Sequence, residues 1–291
     1  MQRIKKTTYS KLLQPKIQIS KKYSLKEYYT EIAGLTERLF IQLRRRPSIA
    51  LAGVIQPLLW LFLFGALFEN LSIQDTSYSL SYIDFLAPGI IIFTAFSSAL
   101  NAGLAIIFDR EFGFLNRLLV YPLLSRVSIL ISSIIFIAIV SIGQSILLLN
   151  LTAIKSIVLT DIKSLLFVIA IIFFITIIIS LISLNLAFIL PGHIELLACI
   201  LILNLPILFS SSALSPLILM PQWLKITTLF NPLTYAIEAL RMVILKSTHF
   251  NTYLKYPPVL ELINLKQLIF MLIILDCIAI FLSVNMFRKR Y

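Results

Sequence analysis

A chain of 291 residues has room for two soluble domains, but 59% of its residues are hydrophobic and only 13% are charged. Soluble chains carry about 25% charged residues, which keep their surface wet. Here the charges gather in blocks between apolar stretches of roughly twenty residues, the length that crosses a bilayer, so the composition excludes a soluble enzyme and predicts an all-α, multi-pass membrane protein.

The net charge of +12 is not a nucleic-acid footprint, because twelve of the 25 Lys and Arg lie in the first 46 residues, directly ahead of the first apolar span. Such a juxtamembrane block marks the cytoplasmic or stromal side and faces anionic lipid. Cys199 and Cys277 fall inside apolar stretches, which argues against a disulfide framework. The basic N-terminus lacks an apolar core followed by a small-residue cleavage site, so no removable signal peptide is expected. Abundant Ile, Phe and Tyr beside only 8 Gly fit an AT-rich genome, such as a plastid or a low-GC bacterium.

Residues 1–23 read as a basic tail. Ser24 and Glu27 then form a capping box, which opens a helix because each side chain satisfies an orphan backbone N–H. Leu25, Tyr28, Ile32, Leu35, Leu39 and Leu43 follow at spacings of three and four, a single apolar stripe. Residues 24–46 therefore read as an amphipathic helix lying in the membrane interface. The same stripe fits a helix packed on the protein's own inner face.

Six spans are predicted in residues 47–291, at about 48–68, 85–107, 127–150, 164–190, 196–218 and 267–286. Each is near the length that crosses hydrocarbon at about 1.5 Å per residue. An even count puts both termini on one side. The segments on that side hold 18 Lys and Arg, against seven on the other, so both termini are read as inside. The stretch 219–266 is too long for a turn and too apolar for a solvated loop. With Pro221, Pro232, Pro257 and Pro258 punctuating it, it reads as short helices dipping into the outer leaflet, covered by protein.

Catalytic signatures are missing from the sequence. The glycines are scattered and none opens a G-x-x-x-x-G-K phosphate loop. His193 and His249 have no Cys or His at metal-ligand spacing, and no serine sits in a G-x-S-x-G turn. The chain is therefore read as no enzyme, with neither a metal nor a cofactor of its own; uphill transport would draw on a partner or an ion.

Two segments stand apart from the lipid-facing background. The inner stretch Phe108–Pro122 mixes Asp109, Arg110, Glu111 and Arg117 with Phe112, Phe114, Leu115, Leu118 and Leu119. Apolar residues exposed beside charge fit a protein docking site; an interfacial helix resting on lipid fits too. The second stretch is Phe230–Arg241. Asn231 is a good helix cap, Pro232 suits the first helical position, Tyr235 follows, and Glu238 and Arg241 are three apart on one face, where they can pair.

Together these features resemble the type-2 permeases of ATP-binding cassette (ABC) transporters, in the branch found in cyanobacteria and algal plastids. The likeness covers about residues 24–290. It rests on the fifth span with Pro206, the small cluster Ser210-Ser211-Ser212-Ala213, Pro216, Met220–Leu224 and Phe230–Arg241, preceded in order by Phe108–Pro122. A departure is Ser210–Ser212, where relatives often carry Gly. The resemblance implies the membrane half of an exporter, paired as a dimer and served by two ATP-binding cassette ATPase subunits that hold the ATP and magnesium. It also implies that Phe108–Pro122 is the coupling helix seated in the ATPase, and that Asn231–Arg241 is an outer re-entrant helix.

Gln56, Asn101, Gln144, Asn185, Asn204 and Asp276 lie within the predicted spans. Buried amides mostly serve interhelical hydrogen bonds, worth about 0.6 kcal/mol on average. A mid-span carboxylate is costly and reads as functional, so Asp276 supports an alternative, an ion-coupled carrier. A further alternative is a non-transporting membrane assembly factor.

Overall fold

A computed structural model describes residues 25–68, 82–114, 117, 127–153, 162–217, 220–244 and 265–290, apart from the side chains of Ile49 and residues 286–290. The basic tail, the Ser24 cap, Leu115, the end of the inner segment at 118–126, His249, and the prolines at 257 and 258 lie outside the described residues. Regular structure within them is helical, in ten α-helices: α1 Leu25–Arg45, α2 Pro47–Leu67, α3 Tyr82–Leu100, α4 Ala102–Glu111, α5 Val127–Ala153, α6 Ile162–Ile189, α7 His193–Phe209, α8 Gln222–Phe230, α9 Pro232–Ile244 and α10 Leu265–Arg290.

Five stretches are long and apolar enough to cross a membrane: Ala50–Leu67, Tyr82–Glu111, Val127–Thr152, Ile162–Ile189 and Leu265–Asn285. The stretch read as a fifth span at 196–218 is instead the shorter helix α7, which stops at Phe209. Its end is fixed by a turn at 210–213, where the Ser211 hydroxyl donates to the Leu208 carbonyl (2.6 Å) and accepts from the Ala213 N–H (3.3 Å). Ser211, together with Ser210, whose hydroxyl donates to the Ile207 carbonyl (3.3 Å), thus builds this turn with its own side chain, while the buried Ser212 hydroxyl has no hydrogen-bond partner among the described residues.

The second span also departs from expectation. It runs to Glu111 rather than ending at residue 107, and it is interrupted at Asn101 between α3 and α4. The Ser183 hydroxyl of α6 occupies the break, donating to the Leu100 carbonyl and accepting from the Gly103 N–H at 3.0 Å. Two backbone groups that an unbroken helix would pair internally are therefore satisfied by one side chain from another span, as a membrane interior demands. The absence of a side chain at Gly103 permits this approach, since a Cβ there would stand 2.5 Å from the Ser183 carbonyl oxygen.

At the centre lies α3, buried along nearly its whole length and packed on α2, α5, α6 and α9. Polar pairs join the spans: Ser141 with Thr176 (3.0 Å) between α5 and α6, Gln144 to the Ala50 carbonyl (3.0 Å) between α5 and α2, and Ser283 to Asn185 (3.1 Å) between α10 and α6. Helix α1 lies on α5, where Phe40 meets Phe136 edge-on, and buries Ile32 and Leu39 from the middle of its stripe while Leu25 stays exposed. The apolar face of α1 thus has a protein partner at its centre.

Candidate functional site

The two segments singled out in the sequence fall at the two ends of the bundle. At the end of α4, three consecutive charged side chains hold three different elements. Asp109 pairs with Arg38 of α1. Arg110 donates to the carbonyls of Ala187 (3.0 Å), Leu190 and Pro191 (2.8 Å), where α6 ends. Glu111 accepts from the backbone N–H of His193 (2.7 Å), the first residue of α7, and pairs with its ring Nδ1 at 2.6 Å.

Helix ends explain this arrangement. The last carbonyls of a helix lack internal donors and the first N–H groups lack acceptors. The partial charges there favour a cation at the C-terminus and an anion at the N-terminus. Arg110 and Glu111 supply these to α6 and α7, while Gly192, the N-cap of α7, makes no side-chain cap of its own. Three residues thus gather the body of α1, the end of α6 and the start of α7 around α4.

The aromatic residues of the same segment behave differently. Gly113 closes α4 at φ +71°, a left-handed position that favours glycine. Phe112 is 79% exposed and Arg117 is exposed. Phe114 is partly exposed, with the Arg38 guanidinium 4.4 Å from its ring centre. Phe108 is half-buried, between the rings of Phe112 and His193. Sequence reasoning grouped all seven as one segment; the structure separates Asp109, Arg110 and Glu111, each bonded to another element, from the exposed Phe112, Phe114 and Arg117, and leaves Phe108 half-buried.

At the opposite end, Asn231 caps α9 as its sequence predicts, its Oδ1 accepting from the Leu233 N–H (3.0 Å). Its Nδ2 reaches back to the end of α7, donating to the carbonyls of Ile207 (2.7 Å) and Ser210 (3.2 Å). Pro232 opens α9. Tyr235 donates to the Leu229 carbonyl, and burial pushes its phenol above the usual range, so it stays a neutral donor. Glu238 and Arg241 pair at 2.7 Å, with both side chains buried. Arg241 also donates to the carbonyls of Ser212 (2.6 Å) and Phe85 (3.1 Å). This pair is a buried knot joining α9 to α3 and the 210–213 turn.

The intramembrane polar residues are not brought to a single point. Asn101 is exposed and bonds within its own chain segment to the Ser97 carbonyl (2.9 Å); the Ser97 hydroxyl bonds Asn204 of α7 at 3.3 Å. Asp276 lies on the buried face of α10 with Leu268, Leu272 and Ser283, and neither carboxylate oxygen has a hydrogen-bond partner among the described residues.

A bundle of long apolar helices, tied together at its ends by polar and charged side chains, defines a multi-pass membrane protein. The ABC-2 type transporter family matches residues 30–245, and this chain belongs to that family. It is 45% identical over 269 residues, 91% of each chain, to a Porphyra purpurea protein described as "Putative transport permease ycf38". Proteins under the same description from Cyanophora paradoxa (44% over 264 residues, 91% of each chain) and Pyropia yezoensis (45% over 279 residues, 94% of each) are similarly close.

Proposed function

We propose that this chain is the membrane permease subunit of an ATP-driven exporter, served by a separate ATP-binding cassette ATPase that holds the ATP and magnesium. The observation that carries this reading is the end of α4. Asp109, Arg110 and Glu111 are spent on partners within the chain, while Phe112 stands 79% exposed beside Phe114 and Arg117. Exposed aromatic residues with a cation at the rim are the composition of a docking patch.

In this reading α7 completes a set of six spans, both termini are inside, and α8 with α9 forms the outer re-entrant pair. Two copies enclose the pathway in a plastid or bacterial inner membrane, and lipid covers the outward Leu, Ile and Phe side chains. The apolar composition of the spans favours an amphipathic or hydrophobic cargo. The Asp276 carboxylate, without a hydrogen-bond partner among the described residues, favours a second reading, an ion-coupled carrier.

Co-purification tests the proposal. The tagged chain should bring down a stoichiometric ATPase, and Phe112→Ala should lose it while remaining monodisperse. Undiminished ATPase binding and hydrolysis with both Phe112→Ala and Phe114→Ala would remove the assigned docking face.

A further inference from the structure

Helix α7 is attached in an unusual way. Its flanks are loosely held: Leu196, Ile200 and Leu208 are buried, while Ile194, Leu201, Ile202, Leu205 and Phe209 are exposed. Its two ends, in contrast, are bonded to other elements. At one end Glu111 of α4 takes the His193 N–H and ring. At the other, Asn231 takes the Ile207 and Ser210 carbonyls while its Oδ1 starts α9 at Leu233. The helix runs unbroken through Pro206, so 17 residues at about 1.5 Å each separate the two attachments by roughly 25 Å.

We infer that α7 is a strut that transmits displacement of the α4 end, through Glu111–His193, to Asn231 and the start of α9. A continuous helix resists compression along its axis better than loosely packed side chains resist sliding past it, so its bonded ends decide what it moves. Coupling between distant sites needs a physical element that both sites bias, and here one helix is bonded at both. Arg110, the neighbour of Glu111, bonds instead to carbonyls at the end of α6 and in the link ahead of α7 (Ala187, Leu190 and Pro191), and so supplies an internal control for the direct bond to α7. That an ATPase drives the displacement rests on the function proposed above; the mechanical link does not.

Amide hydrogen exchange on the full chain in lipid nanodiscs, without any ATPase, tests the link. Glu111→Gln should speed exchange of the α9 amides Leu233–Ile237 by roughly three- to tenfold, the range expected when a partly exposed, charge-assisted hydrogen bond is weakened. Arg110→Gln should leave those amides unchanged. Because coupling is reciprocal, Asn231→Ala should speed exchange at Leu197–Ile200 of α7, a reading that stands even if a Glu111 variant folds poorly. Unchanged α9 exchange in Glu111→Gln, or an equal rise in Arg110→Gln, would overturn the strut. Failure to co-purify an ATPase would remove the proposed driver and leave these exchange results standing, so the two ideas fail separately.

Discussion

The guanidinium carbon of Arg241 sits 3.7 Å from the centre of the Phe85 ring, and a nitrogen of the same group donates to the Phe85 carbonyl. A cation 1% exposed is tolerable only because ring, carbonyls and Glu238 surround it. Removing one member of such a pair strands the other, at a cost of about 3–5 kcal/mol. Arg241→Met should therefore unfold at a markedly lower temperature than wild type, and Arg241→Met with Glu238→Met should recover much of the loss. An unchanged unfolding temperature for the single variant would show that the knot contributes nothing.

Gly103 offers a second test. A Cβ there would lie 2.5 Å from the Ser183 carbonyl oxygen and 2.8 Å from its hydroxyl, whereas one on Gly34 of α1 would meet nothing within 4 Å. Gly103→Ala must push α4 from α6, an overpacking cost of about 1–3 kcal/mol. Gly34→Ala should instead stabilise by up to about 1 kcal/mol through helix propensity. Thermal unfolding of the two variants should shift in opposite directions, and parallel shifts would contradict the close approach.

These two sites show what a sequence discloses and what it hides. Five of the six expected spans were legible because bilayer thickness fixes their length, and the Asn231 cap and Glu238–Arg241 pair because their partners lie within a helical turn. Ser183 with Gly103, and Glu111 with His193, join residues about eighty positions apart, where spacing carries no signal. The start of the inner segment hides its partners for the same reason. Asp109, Arg110 and Glu111 belong in the sequence to a segment that fits docking or an interfacial helix, and the structure adds that each has a partner on another helix, with α4 continuing to Glu111. The available clue was a charged triplet directly after an apolar run, opposite the short turn at Pro191-Gly192 that needed caps.

Asp276→Asn separates the two transport readings. The substitution preserves shape while removing the ionisable group from a site where neither oxygen has a partner among the described residues. An ATP-driven exporter should keep transport and its dependence on ATP in this variant. Abolished transport in a well-folded variant, with no ATPase required by wild type, would favour the ion-coupled carrier.

Sidedness is the remaining prediction, and its basis is charge. The six-span reading places Arg117 and Lys289 inside and Asp75 and Tyr253 outside, because basic residues concentrate on the side from which translocation does not occur. Native thiols must first be removed: Cys277 is exposed and Cys199 half-buried, so either could react and blur the result. In that background, a membrane-impermeant maleimide added outside should label cysteine at 75 or 253 and spare cysteine at 117 or 289 until the membrane is opened. If α7 did not cross, the chain would contain five crossings, and positions 253 and 289 would exchange sides relative to 75 and 117. Labelling of 253 from the same side as 117 would therefore reject α7 as a span, even with the rest of the bundle unchanged.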